Sequence, residues 1–234
     1  MNKQKAICIL GGMGPQASAR FLVDIVDMSA REFGAKDNDD FPEIIVDSVP
    51  VADFIADERS KNAVLNTLID RIRRLEPLAG IFAICCNTAH LMIDDLKKQT
   101  DKHFVSIIDE VVGDVKLKRI NVVGVLASPT TIKSRLFEDA LSKAGIKTVL
   151  PGVTELGLLE RIIRKVISGK VGQKDKEVLA GLAKGLEKRG AKGIILGCTE
   201  LPLIFPKSFE LPVFRSSEIL ARALLRRFFR REVR

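Results

Sequence analysis

Short runs of apolar, often β-branched residues recur along the chain and alternate with longer stretches whose apolar positions repeat every three or four residues. The runs AICIL (6–10), EIIVDSV (43–49), GIFAICC (80–86), HFVSII (103–108), INVVGVL (120–126), IKTVL (146–150), GIILG (193–197) and VF (213–214) predict strands. Most are continuously apolar, as expected for strands covered on both faces of a parallel sheet. Between them the spacing predicts helices near 15–32, 60–75, 89–99, 130–143, 155–168, 175–189 and 217–231. Pro15 and Pro129 suit first helical turns, and Gly145, Gly169 and Gly190 suit helix ends. This order predicts an α/β fold with right-handed crossovers.

The chain also resembles itself. Aligning Cys86 with Cys198 places Ala79 on Ala191, each opening an apolar run that ends at the cysteine. Each half begins with a strand that runs into a small-residue loop, ILGGMGP in the first and VLASPTT in the second. We therefore expect two similar α/β domains with parallel-rich sheets flanked by helices, residues 1–116 and 117–216, with a terminal helix over 217–234 crossing back onto the first. Ligands of such sheets bind beyond the carboxyl ends of the strands. Both cysteines and both loops lie there, so the active site is expected between the halves.

Composition narrows the class. A chain of 234 residues with 46% hydrophobic content can bury a real core. No apolar stretch reaches the roughly 18–20 residues of a membrane span, and MNKQKAICILGGMG shows no signal-peptide pattern, so a cytoplasmic protein without membrane contact is expected. The four cysteines form neither a C-x-x-C pair nor a zinc spacing, which argues against disulfides and a metal site. The net charge of +8 owes much to the tail ARALLRRFFRREVR, where Arg222, Arg226, Arg230 and Arg234 recur beside Leu220, Leu224, Leu225 and Phe228. That pattern reads as a basic face on an amphipathic helix. With no Trp, no Tyr and no nucleic-acid motif, no nucleic-acid partner is expected.

The cysteines divide into two kinds. Cys8 and Cys85 sit within apolar runs and read as core. Cys86 and Cys198 close their runs and are followed by Asn87 and Thr88, and by Thr199 and Glu200, where a helix amino terminus is expected. Unpaired amides there would stabilise a thiolate or bind a carboxylate.

Taken together, GGMGP at 11–15, CNTAH at 86–90 and GCTEL at 197–201 resemble the aspartate/glutamate racemase family over essentially the whole chain. The resemblance implies an amino-acid racemase of two pseudo-twofold domains, without a cofactor, working as a homodimer, with Cys86 and Cys198 flanking the substrate α-carbon. The chemistry suits these residues, since inverting a stereocentre through a planar carbanion needs a base on one face and an acid on the other. Donors for the substrate carboxylate are the backbone of Gly12, Met13 and Gly14 with Asn87, Thr88 and Thr199. By family position Ser128 and Thr131 are further contacts, and Glu200 is a partner for the substrate ammonium or for Cys198. His90 is either a structural histidine or one that tunes Cys86.

Two positions depart from the family pattern. Phe54 and Ile167 stand where relatives often carry an arginine and a lysine that engage substrate carboxylates; Arg59, Arg164 and Lys165 are candidate substitutes. Aspartate and glutamate are thus the first expectation, with a broad-specificity or hydantoin racemase as the alternative. Two other classes stay open. Gly12, Gly14 and Ala17 match a dinucleotide fingerprint, although the next strand-end acid, Asp47, falls too far along the chain. A non-catalytic small-molecule binding module would carry the same loops.

Overall fold

The computed structural model describes residues 5–56 and 58–232, and the side chains of 230–232 are outside the description. Strand β1 (Ala6–Gly11) leads into helix α1 (Pro15–Phe33), followed by β2 (Ile44–Ser48), α2 (Lys61–Leu75) and β3 (Ala79–Ile84). A 3-10 turn (Thr88–Met92), α3 (Ile93–Lys97), β4 (His103–Val105) and α4 (Ile107–Leu117) complete the first half. The second runs β5 (Val122–Leu126), α5 (Pro129–Lys133), α6 (Leu136–Lys143), β6 (Lys147–Val149), α7 (Val153–Ile167), α8 (Gln173–Lys188) and β7 (Ile194–Leu196). A second 3-10 turn (Leu201–Leu203), β8 (Val213–Arg215) and α9 (Ser216–Glu232) follow.

The strands form two parallel four-stranded sheets, ordered β2-β1-β3-β4 and β6-β5-β7-β8. The repeat legible in the sequence is therefore a repeat of topology, and it extends to register. Leu10 pairs with Ile84 and Leu126 with Leu196, and in each half a cysteine lies two residues further on.

Alternation along the strands explains why continuous apolar runs were needed. In the first half Ile7, Ile9, Ala83 and Cys85 face one core, while Cys8, Leu10, Phe82, Ile84 and Cys86 face another shared with Val64, Leu68 and Ile72 of α2. The first of these cores is common to both sheets, since it also holds Val123, Val125, Ile195 and Phe214. Leu126, Leu196 and Cys198 turn the other way, onto α7 and α8. The opposed directions of Cys85 and Cys86 follow from this alternation.

Helix α9 lies against α1 and α4. Phe229 stacks on Phe33 at 5.1 Å, Arg222 holds Glu32 at 2.7 and 2.9 Å, and Arg227 pairs with Glu110. The basic tail thus spends Arg222 and Arg227 on internal ion pairs. Arg230 and Arg234, also counted in its basic face, lie outside the described side chains. Among the described residues no helix is long and apolar enough to cross a membrane.

Three elements differ from the sequence expectation, and in one of them the helix expected over 89–99 is a 3-10 turn followed by the short α3. The run HFVSII is a strand only as far as Val105, because the Ser106 hydroxyl accepts the Asp109 amide at 3.2 Å and starts α4, a helix the apolar pattern had merged with the strand. The single helix expected over 130–143 is broken at Arg135, whose φ of 58° is left-handed.

Candidate active site

Each cysteine reaches its position because a strand ends two residues before it. The Cys85 amide still donates to the Leu10 carbonyl at 2.9 Å, and Gly197 does the same to Leu126 at 2.8 Å. The chain then turns into a tight 3-10 turn in both halves, rather than the α-helix start expected from sequence. Gly197 is required there, since a Cβ would lie 2.6 Å from the Phe137 ring. Cys86 and Cys198 are left 6% and 8% exposed at the strand ends.

Glu200 is the centre of the arrangement. Its side chain is buried, and it accepts the Cys198 thiol at 2.8 Å, the Thr199 hydroxyl at 3.3 Å and the Gly14 amide at 3.2 Å. Gly14 comes from the first half, so one carboxylate ties the glycine loop to the second cysteine. Only glycine permits that approach: a Cβ on residue 14 would sit 2.6 Å from Glu200 Oε1 and 3.1 Å from Ile167 Cγ1. Gly12 has a separate reason. Its φ is +88°, and a Cβ there would meet the Val49 backbone nitrogen at 2.4 Å. The loop is closed by Ser18, which accepts the Gly12 amide at 2.8 Å and donates to the Gly14 carbonyl at 3.1 Å. Met13 packs against the core that holds Cys86 and Phe54.

Thr88 of the first half meets Ser128 and Thr131 of the second in a triangle of hydroxyls with sides of 3.0, 2.9 and 2.9 Å, all three residues buried. Asn87 is oriented by the second half. Its Nδ2 donates to Ser216 Oγ at 3.0 Å, and Ser216 in turn donates to the Leu196 carbonyl at 2.8 Å. The serine proton is committed, so the amide orientation is fixed, and Asn87 Oδ1 is left buried without a partner among the described residues. Nothing in the local sequence marks Ser216, far along the chain, as the residue that orients Asn87. Likewise the amides of Gly12 and Gly14 are already engaged within the protein.

Electrostatics follow from burial. Burial pushes the Cys86 thiol up to about 12, with the Glu200 charge adding to the rise and the amides of Ala89 and Thr88 and the Thr88 hydroxyl opposing it. Cys198 is raised well above the usual thiol range, again by burial first and by Glu200 second. Glu200 is itself raised by burial, against the hydrogen bonds from Cys198, Gly14 and Thr199. Burial thus favours the protonated form of both thiols, with Glu200 acting on each.

Two of the three candidate cations are in ion pairs. Arg164 pairs with Asp53 at 2.8 Å and Glu160 at 2.9 Å, and Lys165 with Asp175 at 2.7 Å. Phe54 is buried in the Cys86 core, and Ile167 packs on the Cys198 core beside Gly14. The loop after β2 leans on the second half here: the Ile55 carbonyl accepts the Thr130 amide at 3.1 Å and its hydroxyl at 2.9 Å. Among the described residues no group of three His, Cys, Asp or Glu could hold a metal ion.

Paired thiols at equivalent strand ends of a doubled parallel α/β fold define a class of protein, and comparison with known families agrees with it. The chain belongs to the Asp/Glu/Hydantoin racemase family, whose sequence pattern matches residues 10–224. It is 23% identical over 219 residues to the broad specificity amino-acid racemase RacX of Bacillus subtilis, covering 93% of this chain and 95% of that one. A glutamate racemase of Clostridium novyi is 27% identical over 168 residues, 67% of this chain and 64% of its own. Among solved structures, an aspartate racemase homologue from Pyrococcus horikoshii superposes with a TM-score of 0.81 at 28% identity, over 96% of this chain and 99% of that one. The aspartate racemase of Picrophilus torridus gives 0.80 at 25%, over 96% and 94%. The protein is a racemase, an isomerase on the two-sheet α/β fold that the sequence predicted.

Proposed function

We propose that this racemase interconverts the enantiomers of an amino acid with Cys86 and Cys198 as its acid and base, without a cofactor. The observation that carries the reading is the placement of two thiols at equivalent strand ends with one buried carboxylate, Glu200, acting on both. Glu200 takes the Cys198 proton through their hydrogen bond, and the thiolate so formed removes the α-proton. The Cys86 thiol gives its proton to the opposite face, leaving Cys86 as the thiolate that starts the reverse reaction. The hydroxyls of Thr88, Ser128 and Thr131 supply donors for a carboxylate and for the charge that develops on it. The unpartnered Asn87 Oδ1 and Glu200 supply acceptors for the ammonium, and that cation favours the thiolate. A homodimer is proposed on family resemblance, and sizing at micromolar concentration tests it.

A specific observation favours substrates with uncharged side chains over aspartate and glutamate. Phe54 and Ile167 line the cores that hold the two cysteines, while Arg164 and Lys165 are in ion pairs. A second substrate carboxylate there would meet Phe54 and Ile167 in place of the arginine and lysine of the family pattern. The deciding experiment incubates dialysed, chelator-treated protein with single amino acids in deuterated water and reads α-proton loss and chirality. Neutral amino acids should be preferred. Preference for aspartate or glutamate would reinstate the first expectation, and activity restored only by an added cofactor would sink the two-thiol reading.

A further inference from the structure

His90 is buried, at 2% exposure, in the 3-10 turn that follows Cys86. Both ring nitrogens have partners: Nδ1 lies 2.9 Å from the Cys86 carbonyl oxygen and Nε2 lies 3.0 Å from the Ile107 amide nitrogen. An amide N–H can only donate, so Nε2 accepts and Nδ1 carries the proton that goes to Cys86. One tautomer of the neutral ring satisfies both bonds. The ring thus pins the residue at the end of β3 to the first residue of α4.

The pin closes a small ring of chain around the sulfur. Between Cys86 and His90 lie Asn87, Thr88 and Ala89, and the amides of Thr88 and Ala89 with the Thr88 hydroxyl work against the rise of the Cys86 thiol. Those donors stabilise the thiolate only while the turn holds them on the sulfur. The His90 bond back to the Cys86 carbonyl sets that geometry. The same turn places Thr88 within the hydroxyl triangle, so the position of one site wall depends on it.

We propose that His90 is the positioning residue of Cys86, a neutral bracket that fixes the turn carrying Cys86 and Thr88 against the start of α4; this rests on Cys86 being one of the two acid-base thiols. The charged and titratable groups facing these residues are few. Glu200 acts on Cys86, Cys86 in turn acts on Cys198 and Cys85, and Asp109 of α4 and Lys97 of α3 act on the ring with opposite sign. His90 itself exchanges no proton with substrate.

The test combines kinetics with thiol reactivity in the full-length protein. His90→Ala should lower kcat by roughly tenfold to a hundredfold, the scale expected when a reacting group is misplaced by about an ångström, and leave KM nearly unchanged. The pH at which iodoacetamide modifies Cys86, read by peptide fragmentation separately from Cys85, should move upward. His90→Asn keeps a side-chain donor for the Cys86 carbonyl and should restore most of both properties. His90→Gln, whose Oε1 reaches for the Ile107 amide while releasing Cys86, should fold and behave like the alanine variant, which keeps the test open if His90→Ala does not fold. Wild-type kcat and an unmoved Cys86 profile in His90→Gln would overturn the proposal. Full racemisation by Cys86→Ser would instead remove the reading of Cys86, whatever the His90 variants do to its reactivity.

Discussion

The Cys198 thiol donates to the Glu200 carboxylate across 2.8 Å, and the same carboxylate accepts the Gly14 amide from the other half of the chain at 3.2 Å. Cys198 and Glu200 are thereby fixed to the glycine loop of the first half. The arrangement stores a proton acceptor where a thiol raised by burial needs one.

Replacing either proposed acid-base thiol should stop inversion. Cys86→Ser or Cys198→Ser leaves a poor proton donor on one face, and racemisation in both directions should fall by roughly 10²–10⁴-fold. The intact thiol can still exchange the α-proton of the enantiomer it faces, so deuterium incorporation without inversion should survive with opposite preference in the two variants. Chiral chromatography with mass spectrometry reads both. Cys8→Ala and Cys85→Ala, in the buried cores, should cost stability and leave the stereochemical outcome alone.

Glu200→Gln separates charge from shape. The Glu200 charge is second only to burial in raising Cys86, so its removal should bring that thiol down from about 12 and speed alkylation of Cys86 at pH 8. Cys198 loses the group proposed to take its proton, so turnover should fall in the same variant. Slower alkylation of Cys86 would contradict the assigned sign.

Acid should destabilise the protein through His90. Burial holds its folded pKa at about 4, against 6.5 for the free side chain, so between these values the unfolded chain binds more protons. The stability is fully present above pH 6.5 and is lost as pH falls towards 4, by about 3 kcal/mol in all at about 1.4 kcal/mol per unit. The raised thiols have the opposite sign: Cys86 gives stability that is lost as pH rises from 9.0 towards 12. Urea midpoints at pH 7 and pH 4.5 should differ less in His90→Asn than in the wild type.

The two loop glycines should fail in different ways. Gly14 has φ −100° and ψ 147°, which alanine accepts, so Gly14→Ala should fold while its Cβ displaces Glu200 and removes most activity. Gly12→Ala forces a side chain to φ +88° against the Val49 backbone and should cost stability, about 1–3 kcal/mol from the strained backbone alone. Thermal melts beside racemisation rates distinguish the two; equal loss of stability in both would remove the distinction.

By itself the sequence determined the class and the plan. Continuous apolar runs separated by helical spacing can be buried only as parallel strands with helices on both faces, and the repeated run-plus-cysteine told that the plan occurs twice. It also separated Cys86 from Cys85, because strand side chains alternate faces whatever the surroundings. Boundaries were less legible where an apolar run crosses a cap, as at Ser106, since hydrophobicity does not distinguish the end of a strand from the start of a buried helix. What only the tertiary structure decided are the contacts made across the two halves. Glu200 meeting Gly14, Thr88 meeting Ser128 and Thr131, and Ser216 turning the Asn87 amide all join residues far apart in sequence. Such pairings are set by how the two sheets dock through their common core, and short-range spacing carries no information about them.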